Sequence, residues 1–434
     1  MRLLKWLYPG MMIKRWLFLA IGGVILLMIG ASMFPSQAGV IVRIMSMVIL
    51  MAGLVALIMG ITRLVRSVLE AVSPSPQQDL VDLVFQRRHL DKGPRIVAIG
   101  GGTGLSTLLH GLKPYTTNVT AIVTVADDGG SSGRLRQEFG VLPPGDIRNC
   151  LVALADTEPL MRQLFQYRFA EDSPLRGHNF GNLFITAMTQ ITGDFQKAVQ
   201  ASSKVLAIRG HVLPSTLEKI QLVAEHDDGS VTVGESRIPL ALSPIKRVYL
   251  EPGSSRATAE ALQALAETDA IILGPGSLYT SIIPNLLVGG IVDAIVRSKA
   301  LKIYICNVMT QHRETADFKA SDHVRALIRH SHPGLIHAAI VNTKPVPTEL
   351  LERYQQEEAY PVEPDVDQIR ALGYQVVADE VINTDDYVRH DSDKLARLII
   401  QLAVGTRRAP GGRSLTGGKN GSSAGVEAEG VGSA

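Results

Sequence analysis

Residues 126–136 read ADDGGSSGRLR. Two carboxylates come first, then glycines and serines, then two arginines. Asp127 and Asp128 suit a ribose hydroxyl, or a hard divalent cation such as Mg2+, which prefers carboxylate oxygens. The run through Ser131, Ser132 and Gly133 offers backbone amides and hydroxyls to an anion. Arg134 and Arg136 add charge and forked hydrogen bonds to phosphate. The plainer alternative is an Asp-Gly turn followed by solvated arginines.

Five other segments carry similar chemistry. GGGTGLS (100–106) places Gly101, Gly102, Thr103 and Gly104 before a helix start, where free amides and the dipole favour phosphate. It fails the dinucleotide pattern G-x-G-x-x-G, because Leu105 and Ser106 stand where the third glycine belongs. It also lacks the Gly-Lys-Ser/Thr of a P-loop. LPPGDIRNCLVAL (142–154) sets Pro144 near a helix start with Asp146 in its first turn, and Asp146 and Arg148 are either each other's partners or ligand contacts. RGHNFGNLF (176–184) groups His178, Asn179 and Asn182 at a glycine turn, a composition that can read a base or a sugar. LGPGSLYTS (273–281) repeats the first pattern, with Gly274, Gly276, Ser277, Tyr279 and Thr280. CNVMTQHRET (306–315) contributes Asn307, Thr310 and Gln311.

The elements that must position these residues are legible in the apolar runs. Residues 95–100, 119–126, 270–274, 302–308 and 336–342 read as buried strands. Helical patterns cover 105–112, 144–156, 256–267, 278–298 and 319–331. Strands without alternation, separated by helices, predict a Rossmann-like α/β fold: a parallel sheet with helices on both faces. Segment 158–209 reads as mostly helical, and 217–250 as a small β excursion. Ligands of such sheets bind beyond the carboxyl ends of the strands. The polar turns all fall there.

Composition bounds the rest. Lys and Arg number 43 against 41 Asp and Glu, so no field for nucleic acid is expected. The two cysteines, Cys150 and Cys306, make neither a disulfide framework nor a zinc pattern. Two uncharged apolar runs, 16–34 and 44–61, are each long enough to span a bilayer. A cleaved signal peptide is the competing reading of the first, but a second span follows at once. Arg2, Lys5, Lys14 and Arg15 precede the pair, and Arg63 and Arg66 follow it. The positive-inside rule then puts both chain ends, and everything after the hairpin, on the cytoplasmic side of the inner membrane. The expected domains are a membrane hairpin (1–66), a linker (67–93), an α/β domain (94–405) and a disordered Gly/Ser-rich tail (406–434).

The segments IVAIGGGTGLSTLLHGLK, VTVADDGGSSGRLRQEFGVLPPGDIRNCLVALAD, HNFGNL, GPGSLYTSIIPNLLV and CNVMTQ closely resemble the YvcK family of gluconeogenesis factors, within the CofD-like superfamily. The resemblance covers roughly residues 93–405. It implies a self-associating protein that binds a nucleotide sugar of the UDP-N-acetylglucosamine type, with a role in cell shape and cell-wall precursor balance during gluconeogenic growth. CofD itself transfers a phospholactyl group from a guanosine diphosphate derivative, with magnesium. The resemblance places the turns named above around one cleft. Two features depart from the family. MTQHRET stands for the usual MTQPGET, so His312 and Arg313 replace a Pro-Gly turn, and shorter members lack the apolar hairpin. A regulatory binding protein without turnover, a magnesium-dependent CofD-like transferase and a nicotinamide oxidoreductase are the function classes to separate. The last is disfavoured by the failed glycine pattern.

Overall fold

The computed structural model describes residues 13–33, 39–72, 90–156, 159–170 and 172–408. The chain divides into two units, residues 1–88 and 89–434.

In the first unit, α1 (Ile13–Ser32) and α2 (Val40–Val72) pair as a hairpin. Both contain stretches long and apolar enough to cross a membrane, Arg15–Ser32 and Val40–Ser67. Small residues let the helices touch. A Cβ added at Gly60 would lie 2.6 Å from the Ala20 backbone nitrogen. The Ser46 hydroxyl donates to the Gly30 carbonyl at 2.6 Å, so this polar group is satisfied inside the pair. The second helix runs past the apolar run that ends at residue 61. Arg63 and Arg66 are good helix formers and do not stop it.

The second unit is built on runs such as IVAIG and AIIL, buried at every position. Residues apolar on both faces need cover on both faces, which a parallel sheet wrapped by helices provides. Its first half comprises β1 (Ile96–Gly100), α3 (Gly102–Leu112), β2 (Val119–Val123), α4 (Gly130–Phe139), α5 (Gly145–Leu154), α6 (Pro159–Gln166), α7 (Phe180–Thr192), α8 (Phe195–Val205) and β3 (His211–Pro214). An antiparallel excursion follows, β4 (Gln221–His226), β5 (Val231–Val233) and β6 (Ile245–Glu251), with a 3-10 turn at Glu235–Leu240. The second half holds α9 (Ala259–Glu267), β7 (Ala270–Leu273), α10 (Ile283–Leu286), α11 (Ile291–Arg297), β8 (Leu301–Ile305), α12 (Ala320–Arg329), β9 (Ala338–Asn342), α13 (Thr348–Gln355), α14 (Val366–Ala371) and β10 (Gln375–Asp379). A short pair, β11 (Ile382–Asn383) and β12 (Arg389–His390), leads into α15 (Ser392–Arg408), which packs on α3.

The seven-stranded sheet has the order β10-β9-β8-β7-β1-β2-β3, and every pair is parallel. The chain steps outward from β1 to β3, then returns to lay β7 on the other side of β1. The order therefore reverses between β1 and β7, and a crevice opens beyond their carboxyl ends.

Several elements differ from the sequence expectation. The strand expected over 119–126 ends at Val123, because residues 124–126 turn toward the crevice while staying buried. The expected helix 278–298 is broken. A π turn at Leu278–Ile282 passes into α10, and Gly290, with φ +96°, separates it from α11. β3 and β10 were not anticipated. β3 is four residues long and ends in proline, and β10 is a half-exposed edge, so neither makes a long apolar run. The expected linker and tail lie mostly outside the described residues. α2 extends into the first as far as Val72, and α15 into the second as far as Arg408.

Candidate functional site

The turns after β1 and β7 press against each other. A Cβ at Gly104 would stand 2.6 Å from the Pro275 carbonyl oxygen and 3.0 Å from the Gly276 Cα, so only glycine permits this approach. The buried Asn285 side chain ties the two turns together, donating to the Gly100 carbonyl at 3.0 Å and the Ser281 carbonyl at 2.8 Å. In front of them lies a cleft of about 500 Å³. Gly101, Gly102, Thr103, Gly104 and Thr107 form one wall, and Gly276, Ser277 and Ser281 the next. Asn307 and Gln311 close a third, with the Gln311 amide donating to the Ser277 hydroxyl at 2.7 Å. The Gln311 carbonyl oxygen is buried without a hydrogen-bond partner.

Three carboxylates enter the cleft: Asp127, Asp146 and Glu235. Burial is the first cause that raises each above its ordinary value; repulsion from Asp128 adds to it at Asp127, and repulsion from Asp127 adds to it at Asp146 and Glu235. Asp146 is pushed up to about 6 although the Gly102 amide donates to it. Glu235 is pushed up to about 8, with Asp127 the strongest charge against it. At neutral pH Glu235 therefore carries a proton and is a donor. Glu314, raised by burial to about 7, acts on it from behind. Arg389 is the one Lys or Arg among the described lining residues. Its guanidinium stacks on Tyr387 at 5.2 Å, and His390 beside it donates from Nε2 to the Cys306 carbonyl at 3.2 Å. Burial holds His390 down at about 4.

The structure gathers part of the sequence-predicted set at this cleft and sets the rest behind it. Gly101, Gly102, Thr103, Gly104, Asp127, Asp146, Gly276, Ser277, Asn307 and Gln311 line it. Asp128 does not; its carboxylate accepts from the Ser236 amide at 2.8 Å and so pins the 3-10 turn that presents Glu235. Ser131, Ser132, His178, Asn179 and Asn182 form a buried bracket under the Asp127 loop. The Ser131 hydroxyl lies 3.3 Å from His178 Nδ1, and Ser132 Oγ accepts from the Gly145 amide at 3.1 Å. Asn179 caps α7 by accepting from the Asn182 amide. Gly133 is packed tightly against the Asp128 backbone.

The arginines are anchored by hydrogen bonds away from the cleft, although Arg136 Nη1 and Arg148 Nε are buried without a partner. Arg134 donates to the Arg176 carbonyl at 2.7 Å, Arg136 to the Ile220 carbonyl at 2.6 Å, and Arg148 to Asn149 Oδ1 at 2.6 Å. Tyr279 packs edge-on against Phe318 and His330 in the core, and Thr280 is buried beside it. Gly274 turns the chain at φ +83°, and Thr310 exchanges hydrogen bonds with the Tyr360 backbone. These residues hold the walls rather than face the space.

Sequence reasoning missed Glu235, Thr107, Ser281, Arg389 and His390. Thr107 lies one helical turn past Thr103, so α3 periodicity carries a signal for it. Glu235 and Arg389 come from short segments with no strand run before them, and nothing local marks them. The loop that departs from the family pattern is fastened at both of its substituted residues. Arg313 stands at φ +65°, where a glycine is at ease, and donates to the Leu240 carbonyl at 2.9 Å. His312 bridges it to Glu358, accepting from Arg313 Nε at 2.7 Å and lying 2.9 Å from the Glu358 carboxylate.

Among the described residues no three His, Cys, Asp or Glu side chains gather closely enough to hold a metal ion by themselves. Of the expected pair, Asp127 faces the cleft and Asp128 is engaged elsewhere.

The family model described as 2-phospho-L-lactate transferase CofD matches residues 96–382. The gluconeogenesis factor of Bacillus subtilis is 50% identical over 310 residues, covering 71% of this chain and 98% of that protein. The chain belongs to the CofD-like gluconeogenesis factor family. A Nostoc sp. relative is 48% identical over 418 residues, covering 92% of both chains. A crystal structure from Bacillus halodurans, described as a member of the UPF0052 family, superposes with a TM-score of 0.70 at 48% identity. It covers 71% of this chain and 99% of that one.

Proposed function

We propose that this family member is a membrane-tethered, cytosol-facing regulatory protein that binds a nucleotide sugar of the UDP-N-acetylglucosamine type without turning it over. The observation that carries the reading is the cleft at the β1/β7 reversal, where two apposed glycine turns and a helix start face Arg389. Backbone amides at α3 suit a diphosphate, and Arg389 adds the positive charge that an otherwise acidic cleft lacks. Asn307, Gln311 and protonated Glu235 suit sugar hydroxyls. His390, the one histidine among the lining residues, is held by a carbonyl and is a poor base. Magnesium fits as a companion of the ligand, since Mg2+ typically sits between one or two carboxylates and substrate phosphates. Asp127 and Asp146 are the carboxylates available to it, and it would supply charge neutralisation. Self-association and a link to cell shape and wall-precursor balance under gluconeogenic growth complete the proposal.

The alternative is a CofD-like transferase of a phospholactyl-type group. The convergence of Asp127, Asp146 and protonated Glu235 favours it, because transfer of a phosphorylated group requires chiefly positioning and charge neutralisation. Calorimetric titration of the purified full chain in detergent, with UDP-N-acetylglucosamine, UDP-glucose and GDP, with and without magnesium, separates the two. Binding of the UDP-sugar, weakened at least tenfold by Arg389→Ala and leaving the ligand chemically intact, is the expected result. Product formation, or a preference for GDP, would transfer the protein to the alternative.

A further inference from the structure

A second cavity, of about 530 Å³, lies on the other side of α3. Thr103 and Thr107 line both it and the cleft, so the two spaces meet across one edge of the helix. Along α3 the residues Thr103, Ser106, Thr107 and His110 follow the i, i+3, i+4, i+7 spacing of a single face. Leu105, Leu108, Leu109 and Leu112 bury the opposite face in the core. Facing the polar stripe are Asn149 from α5 and Arg162, Gln163 and Gln166 from α6.

The polar groups here are incompletely used. Arg162 Nε is buried and has no hydrogen-bond partner. Such a donor loses its water without compensation. Asn149 gives its carbonyl oxygen to Arg148, which leaves its NH2 group for another acceptor. Ser106 and Thr107 both donate to the Thr103 carbonyl at 2.9 Å. Positive charge dominates the surroundings. His110 is held below its ordinary value by burial first, then by Lys113 and Arg162. Asp156, the nearby carboxylate that acts on Lys113, is already paired with Arg209 at 2.7 Å.

We propose that this annex is an anion subsite, in which Arg162 and the Asn149 amide take a phosphate or carboxylate group lying beside the nucleotide-sugar cleft. The group belongs either to a second small ligand or to the far end of the cleft ligand. In both cases the acidic cleft and the basic annex divide the work, one near sugar and cation, the other near an anion.

Equilibrium dialysis of labelled inorganic phosphate against the full chain in detergent tests the assignment. Wild type should bind phosphate. Arg162→Ala should weaken it at least tenfold, and Gln166→Glu, which sets a carboxylate at the annex rim without touching the core, should weaken it several-fold. Arg389→Ala removes phosphate held in the cleft itself, and in that background Arg162→Ala should still weaken the remaining binding at least tenfold. Phosphate binding that persists under saturating UDP-N-acetylglucosamine assigns the annex to a second ligand. Competition between the two, with Arg162→Ala still weakening phosphate, assigns it to the cleft ligand's own anion. No phosphate binding by wild type, or equal binding by both annex variants, would overturn the subsite. If UDP-N-acetylglucosamine itself fails to bind, the phosphate arm still decides the annex independently.

Discussion

Glu235 carries the strongest consequence of any single residue in the cleft. Its carboxyl titrates near 8 in the folded protein, against an ordinary 4.5. Between those pH values the folded state keeps the proton and the unfolded state has released it. The unfolding free energy of the ligand-free protein therefore falls as pH rises through this window and levels off above about 8. Asp146 and Glu314, raised in the same direction, add to the lower part of the slope. Glu235→Gln removes one titrating group while keeping its shape. Urea unfolding of the variant in detergent should show a shallower loss between pH 5 and 8, with greater stability than wild type at pH 8. An unchanged slope would mean that Glu235 does not hold its proton. Arg313 marks a different case, a non-glycine residue held at φ +65°, where its guanidinium reaches the Leu240 carbonyl.

At the scale of elements, close contact between glycine surfaces recurs in both units. In the α/β unit it brings the β1 and β7 turns together at Gly104. In the hairpin it seats α2 on α1 at Gly60. Association of helices in lipid depends on van der Waals packing at small residues, because burial of apolar surface brings no gain there. Gly60→Leu should therefore open the pair. Hydrogen–deuterium exchange in nanodiscs should rise along both helices in that variant, and phosphate and UDP-sugar binding by the α/β unit should be unaffected. Unchanged exchange would show that the pair is held elsewhere. The 3-10 turn Glu235–Leu240 is the other decisive element. Asp128 grips its start and Arg313 its end, so the excursion is fastened to the loops that follow β2 and β8.

For the whole molecule, the basic residues flanking the hairpin predict its topology. Arg2, Lys5, Lys14 and Arg15 before the first apolar run, and Arg63 and Arg66 after the second, outweigh Arg43, which lies between the two runs near the start of α2. A reporter active only in the cytoplasm, fused after residue 408, should be active, and one inserted between the two helices should be silent. The reverse pattern would put the α/β unit outside and end the case for a cytosolic nucleotide-sugar ligand. Under the proposed topology the hairpin would tether the protein to the membrane.

The sequence alone determined the α/β class, the apolar hairpin and the rule that ligands sit after strands, because these rest on local patterns: burial on both faces, span length and glycine before a helix. It also carried Gly101–Gly104, Asp127, Asp146, Ser277, Asn307 and Gln311, each of which directly follows a strand or opens a helix. Which polar residues face the cleft was decided only by tertiary structure. Ser131, Ser132, His178 and Asn182 have the same chemistry as lining residues, yet packing turns them into a bracket beneath Asp127. Glu235 and Arg389 reach the cleft from segments more than 100 residues beyond Asp127, delivered by an antiparallel excursion and a two-residue strand. No local periodicity encodes such an approach. It arises when the strand order reverses at β1 and β7 and the chain's later elements close over the gap.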